Sequence, residues 1–446
     1  MFDKKIMLPH QYLYPHMDLF SDRCRYDLRE QYIEHIQKHH EKRRAIIYIH
    51  IPYCDSKCSF CGFDKQYNVT DMDQYVDKVI SELRMYAFDY FEVEGVHLGG
   101  GTPTLLSGKN LTKIVRAVKD YFQLTKDITI NIEGSCTSLY REDIIQFILD
   151  EKIAKVSTGI QTFNPKLRKI FNQKATLDEV YYTLEVLKKH NIIVHGDILY
   201  GYPHFNIGEQ IDIVKEDLQE AIRMELDGIG FSHVFPYSNC LENMIEQEQY
   251  PMPTVEYILG IMKQGKEMLE KDGYKRETCY CYLKKGKIMV ETDYYGGLEK
   301  TPDCIAVGSG AFGSVCGYKY RNNAFNSYMA NELPCFSQLK KLTLEENENT
   351  AIVAWPRVFS LEKQLLNDNT KERFGPVLDF LKRHEIIEEQ EERYELVEEA
   401  KFYVDNVYYM MLPEEERAVV DRQLDILLME REKNAGIPWN ARNWEI

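Results

Sequence analysis

Three cysteines, Cys54, Cys58 and Cys61, stand in the run YIHIPYCDSKCSFCGF with the spacing C-x3-C-x2-C, directly after an apolar β-like stretch. One short loop thus offers three thiolates, enough to hold three irons of a [4Fe–4S] cube and leave the fourth iron open. An open iron suits chemistry in which a small molecule binds the cluster directly and takes an electron from it. The alternative is a structural zinc site with His50 as fourth ligand. Such sites usually pair two short cysteine arms, and Cys279 and Cys281 form only C-x-C. Two-cluster ferredoxin spacing, C-x2-C-x2-C-x3-C, does not match either.

The elements that must carry this loop are legible over residues 46 to 235, where short β-like runs alternate with helical patterns. Strands are expected at Ile46–Ile51, Gly95–Leu98, Ile128–Glu133, Ala154–Ile160, Ile192–Leu199 and Gly228–Phe235. Between them, Tyr75, Val76, Val79, Ile80 and Leu83 follow an Asp71 cap at three- and four-residue steps, one face of a helix. Leu111, Ile114, Val115 and Val118 repeat the pattern, as do Ile144, Ile145, Ile148 and Leu149. Strand–helix alternation implies parallel strands with right-handed crossovers. Six such units predict a partial (βα)6 barrel of the TIM type, with a doubly wound sheet as the alternative. The strand ends favour the barrel. The first ends at the cysteine loop, the second at Gly99-Gly100-Gly101-Thr102-Pro103-Thr104. The others end at Glu133, Gln161, Asp197 and the pair Ser232, His233. Barrels gather their chemistry at the carboxyl ends of successive strands, whereas a doubly wound sheet concentrates it at one switch point.

Each candidate has a plain counterpart. Consecutive glycines let backbone approach a ligand closely, or they make a tight strand-to-helix turn. Glu133 and Asp197 suit ribose hydroxyls or an amino group, and a lone acid there also suits a helix N-cap. His50 and His233 are either ligands or buried histidines bonded to backbone. Tyr48 and Phe60 pack against a cofactor or against the core. The GGGTP segment lacks the Lys-Ser/Thr of a nucleoside triphosphate loop.

The chain's 446 residues leave room for one large and one smaller domain, and 44% hydrophobic residues support a full core. A net charge of −16 argues against nonspecific binding to nucleic acid or to anionic membrane. No apolar run approaches membrane-spanning length, and no signal-peptide pattern opens the chain. Eleven unevenly spaced cysteines then read as reduced thiols in a cytoplasmic, low-oxygen setting. Residues 1–45 form an N-terminal extension holding His10, His16, His35, His39 and His40, either ligands or cover for a site, or one face of a solvated helix. Residues 46–345 carry the barrel and a less regular extension with the glycine-rich AVGSGAFGS. Residues 346–446 read as a mainly α, winged-helix-like C-terminal domain, with a helix over Phe374–Ile387 and a short strand at Arg393–Val397.

The motifs YIHIPYC-x3-C-x2-C, GGGTPT, IEGS, GIQTFNP and GDILYGYP together resemble the radical S-adenosylmethionine (SAM) enzymes, more narrowly the oxygen-independent coproporphyrinogen III oxidase-like (HemN-like) family. The resemblance runs from about Ile46 to Ser314 and again through DFLKRHEIIEEQEERYELVEEAKFYVDNV. It implies that Cys54, Cys58 and Cys61 hold a [4Fe–4S] cluster whose free iron chelates SAM and reduces it to methionine and a 5′-deoxyadenosyl radical. It assigns Tyr48, Phe60, Gly100 and Glu133 to that SAM, and Gly101, Thr102, Gln161 and Asp197 to a second one, with Ser232 and Phe312 beside them. It also implies a flavodoxin- or ferredoxin-type electron donor. The chain departs from the coproporphyrinogen oxidase pattern in two places. Phe63 replaces a further cysteine, and Asn172-Gln173 stands where the family carries an arginine, leaving Lys174 or Arg168 to substitute. The run Cys61-Gly62-Phe63 is closer to the haem-utilisation branch, radical SAM methyltransferases that open haem anaerobically. Three activities follow as expectations: two-SAM methyl transfer to a tetrapyrrole, with Phe63 counted in the site; coproporphyrinogen III decarboxylation; and haem chaperoning.

Overall fold

A computed structural model of the chain describes residues 14–15, 26–62, 65–67, 70–202, 207–234, 254–286, 303–418 and 420–421. Six strands carry the expected units: β1 (Arg43–Ile51), β2 (Phe91–Gly100), β3 (Gln123–Gly134), β4 (Lys155–Gln161), β5 (Val194–Tyr200) and β6 (Gly228–His233). They lie side by side in chain order and pair in parallel. The order never reverses, which excludes the doubly wound alternative and its switch point.

The less regular stretch extends this sheet at both ends. On the β6 side lie β7 (Tyr274–Arg276) and β8 (Cys281–Lys284), antiparallel. On the β1 side lies β9 (Asp303–Val307), a further parallel strand. Beyond it run β10 (Phe312–Val315), β11 (Tyr318–Asn322) and β12 (Phe336–Lys341), antiparallel. All twelve strands make one sheet whose edges are β12 and β7.

Local chemistry sets the helix starts. Ser107 accepts from the Asn110 N–H, and Asn164 accepts from the Lys166 and Leu167 N–H groups ahead of Pro165. Thr176 and Glu179 close a capping box. Asp71 precedes the helix Met72–Met85 without a side-chain capping bond. The apolar faces read from the sequence, Val76, Val79 and Leu83 among them, are buried in the main core.

A second apolar cluster gathers Trp355, Phe359, Leu361, Phe374, Leu381 and Val407. Its helix runs Asp368–Arg383, not Phe374–Ile387: Asn367 caps it earlier, and Glu385 at φ 54° ends it before Ile387. Ile387 instead opens β14 (Ile387–Glu389), which pairs β15 (Arg393–Leu396). An unexpected β13 (Ser360–Glu362) completes a small antiparallel sheet, so helix and wing are both present. Tyr14 joins this cluster, and the buried Lys319 ammonium donates to its carbonyl. His10 and His16 lie outside the described residues. His35 and His39 pack on the rings of Tyr318 and Tyr90. Among the described residues no helix is long and apolar enough to cross a membrane.

One buried carboxylate ties the glycine-rich segment to the end of β1. Glu82, fully buried on the helix Met72–Met85, accepts from the Gly308 N–H (2.8 Å), Asn322 Nδ2 (2.7 Å) and the Tyr328 hydroxyl (2.6 Å). Ser309 N–H in turn donates to the Tyr75 hydroxyl (2.9 Å), which donates to the His50 carbonyl (2.6 Å). Burial pushes the Glu82 carboxyl up to about 7, even though all three donors favour the charged form. A carboxyl raised on folding binds more protons in the native than in the unfolded chain. Its stabilising share is therefore complete below pH 4.5 and is lost as pH rises through about 7. Relative to Glu82→Gln, wild-type melting temperature should fall across that window. Glu82→Ala, which orphans three donors, should cost about 3 kcal/mol in chemical denaturation. Parallel wild-type and Gln pH profiles would refute the buried-acid assignment.

Candidate active site

The cysteine loop is clamped from two sides. On one side, the chain leaving β1 zips to the end of β2. Gly101 N–H donates to the Ile51 carbonyl and Thr102 N–H to the Tyr53 carbonyl, both at 2.7 Å. A Cβ on Gly101 would strike the Tyr53 carbonyl oxygen, and one on Gly100 (φ 111°) would come within 2.7 Å of the His50 ring. The glycines are therefore needed first for strand-to-strand approach. The Gly100, Gly101 and Thr102 N–H groups all have protein acceptors, Gly100 giving its own to Glu133 Oε2 at 3.2 Å. Close backbone and the Thr102 hydroxyl, 3.6 Å from Cys54 Sγ, are what this segment offers a ligand.

On the other side stands the segment after β4. The Ser59 N–H donates to the Phe171 carbonyl (3.1 Å) and its hydroxyl to the Ile170 carbonyl (2.9 Å). Asn172 Nδ2 donates to the Lys57 carbonyl (2.8 Å), and Gln173 Nε2 to Cys58 Sγ (3.3 Å). Lys174 pairs with Asp55 at 3.4 Å, and Thr137 also donates to Asp55. Arg168 is not poised to replace the family arginine. Its buried guanidinium donates to the Ile160, Thr162 and Ala175 carbonyls, and burial lowers its pKa.

The three thiols share one electrostatic environment. Burial pushes Cys54 and Cys58 up, opposed by Lys65 and by the Thr102 and Ser56 hydroxyls respectively. Burial acts to lower the Lys65 ammonium, but Cys61, Cys54 and Cys58 outweigh it and hold it raised. With Cys54 and Cys58 lifted by burial, iron binding at these two sulfurs would have to expel their protons. Among the described residues no three His, Cys, Asp or Glu side chains are gathered around a point suited to a single metal ion. Phe63 lies outside the described residues.

The remaining candidates fall on neighbouring strands. Tyr48 pairs in register with His97 of β2, and Glu133 with Ser157 of β4. Sequence reasoning missed His97, although it shares strand parity with Gly99. Its ring stacks on Tyr48 (5.9 Å, 12°), and Nε2 meets Glu133 Oε1 at 2.9 Å. Tyr48 also contacts His50 Nδ1 at 3.0 Å. Glu133 is thus braced twice, by His97 and by Gly100, while its side chain stays 40% exposed. Gln161 ends β4 in the left-handed region (φ 66°) at a register shift, and its buried Oε1 has no partner. Strain and an orphaned acceptor at a strand end make Gln161 a candidate ligand position. Asp197 lies against Gly230, where a Cβ would collide with its carboxylate. Ser232 is half-buried on β6, Phe60 packs edge-on to Phe171, and Phe312 opens β10 beneath the Lys319 ammonium.

A family model described as the radical SAM superfamily matches residues 48–216. Anaerobilin synthase of Escherichia coli O157:H7 is 30% identical over 303 residues, spanning 66% of this chain and 66% of that protein, just under two thirds of its length. The heme chaperone HemW of Lactococcus lactis is 26% identical over 62% of this chain and 71% of that protein. Among solved structures, coproporphyrinogen III oxidase (HemN) of Escherichia coli, a radical SAM enzyme, superposes with a TM-score of 0.75. That match is 18% identical over 90% of this chain and 96% of the other, a likeness of fold. The chain carries a radical SAM domain over residues 48–216 and is similar to proteins of the HemN-like family.

The clamp is testable through its tightest contact. Gly101→Ala forces a methyl against the Tyr53 and Ile51 carbonyls, so the loop must lift. Overpacking of this kind should cost about 1–3 kcal/mol. Iron and sulfide retained after anaerobic reconstitution should fall several-fold. Wild-type iron content in the variant would show that the approach does not matter.

Proposed function

We propose that the chain cleaves SAM at a [4Fe–4S] cluster held by Cys54, Cys58 and Cys61 and acts on a tetrapyrrole or a similarly flat unsaturated substrate, with two-SAM methyl transfer favoured. The coupled thiols, clamped between the ends of β1, β2 and β4, carry this reading. The radical SAM domain supports it, and the donor set fits the cluster: three thiols with half-buried Lys65 among them. When bound, the cluster supplies one electron to the sulfonium of SAM.

This chain's residues would do the binding and orienting. Glu133, fixed by His97 and Gly100, turns its exposed face to an ammonium or a ribose hydroxyl of the first SAM, beside Tyr48, Phe60 and Gly100. Gln161 and Asp197, with Gly101 and Thr102, would receive the second. Ser232 and Phe312 would border both, and Phe63 would join them. The half-buried rings of Tyr48 and Phe60 would shield this side of the site from water. Among the described residues all nine cysteines are free thiols, which fits a reducing, low-oxygen compartment such as the cytoplasm. A flavodoxin- or ferredoxin-type carrier would deliver the electron.

Methyl transfer is favoured over decarboxylation by the likeness to anaerobilin synthase, which agrees with the Cys61-Gly62-Phe63 run. The test is anaerobic: reconstituted, reduced protein is given SAM with haem or with coproporphyrinogen, and products are read by mass spectrometry. The expected products are 5′-deoxyadenosine, S-adenosylhomocysteine and a methylated tetrapyrrole. 5′-Deoxyadenosine with methionine, carbon dioxide and a decarboxylated porphyrinogen would move the chain to the oxidase reading. Tight haem binding without substrate-dependent cleavage would make it a chaperone. Cys58→Ala should abolish cluster absorbance and SAM cleavage while the melting curve stays near wild type. Retained cleavage in that variant would sink the cluster assignment.

A further inference from the structure

Gln173 sits where the family pattern has an arginine, and the structure turns it onto a cysteine of the loop. Its Nε2 lies 3.3 Å from Cys58 Sγ, closer than the Ser56 hydroxyl at 3.9 Å. The approach is built, not incidental. Asn172 adopts φ 52° and ties its side chain to the Lys57 carbonyl, while the Gln173 N–H is fixed by the Arg168 carbonyl at 2.9 Å. These bonds aim the Gln173 side chain at the loop. The neighbouring cations are spent elsewhere, Arg168 on three carbonyls and Lys174 on Asp55. A neutral amide donor therefore meets the Cys58 sulfur from this segment.

An N–H donated to a ligating sulfur withdraws electron density from it. It therefore favours the reduced, more negative state of a cluster and raises its potential. We infer, resting on the cluster reading above, that Gln173 is a positioning residue that tunes the cluster through Cys58, raising the potential at which it accepts its electron. Position 173 is then used for electron transfer into the site and not for gripping a second SAM, whose hold falls to Gln161, Asp197 and Thr102.

The test uses the full chain, reconstituted with iron and sulfide. Midpoint potentials are measured by EPR-monitored titration, and the iron–thiolate stretch by resonance Raman spectroscopy. Gln173→Leu, similar in size but without a donor, should shift the midpoint to more negative values and move the stretch to higher frequency. Gln173→Glu should shift the midpoint further in the same direction, and Gln173→Arg should restore it to wild type or above. Suppose instead that Gln173→Leu only lowers the amount of cluster, with midpoint and stretch unchanged in what assembles. The contact is then a loop brace and the inference is overturned. A wild-type chain that assembles no [4Fe–4S] cluster would overturn the cluster reading itself, and this inference with it.

Discussion

The structure turns on how closely three pieces of backbone approach one another: the chain leaving β1, the glycine end of β2, and the turn after β4. Three thiols on a short loop are useless to a cluster if the loop wanders. Ordering a loop residue costs about 1–2 kcal/mol of backbone entropy, and this loop has little apolar bulk to offset it. The fold supplies main-chain bonds from both flanks. On the β2 side they require residues without Cβ atoms, because a methyl on Gly101 would occupy the Tyr53 carbonyl. The GGGT run is thus a packing requirement before it is a ligand surface.

The same logic explains an otherwise costly feature. A carboxylate with no exposure to water is expensive, yet Glu82 is buried where it fixes Gly308, Asn322 and Tyr328 at once. From there Ser309 and Tyr75 reach the carbonyl of His50, four residues before Cys54. The extra strands β9 to β12 therefore help to fix the strand end from which the cysteine loop departs. They hold the glycine-rich loop against the end of β1, where a Cβ on Gly308 would strike the His50 carbonyl. The fold spends stability inside this network to fix one strand end.

Much of this was legible in the sequence, and the limits have a physical pattern. Periodicity locates β1 to β6 and their helices because each element buries its own apolar face. The strand-end residues Glu133, Gln161, Asp197 and Ser232 were legible because chain order and sheet order coincide. What escaped were interactions between residues far apart in the chain. Gln173 and Cys58 are separated by 115 positions, Asn322 and Glu82 by 240. His97 escaped for a subtler reason: an interior histidine in a strand resembles any half-buried residue until the register sets it beside Tyr48 and Glu133. The C-terminal helix was misjudged at both ends because Asn367 and Glu385, rather than its apolar face, set its limits.

The donors around the cysteine loop follow one economy. The chain carries a net charge of −16, so a loop of thiolates needs local compensation. Lys65 supplies it among the thiols, half-buried, its charge favoured by the sulfurs that it offsets. Elsewhere around the loop the donors are neutral or already matched: the Thr102 and Ser56 hydroxyls, the Gln173 amide, and Lys174 held by Asp55. Piling cations there would favour the most electron-rich state of a bound cluster, and a cluster too content with its electron is a poor donor to a sulfonium. Neutral donors brace the sulfurs while perturbing that balance less than full charges would. An arginine at position 173 would add charge, whereas a glutamine makes the contact to Cys58 with little of it, and that difference separates this chain from the family pattern beside the cysteine loop.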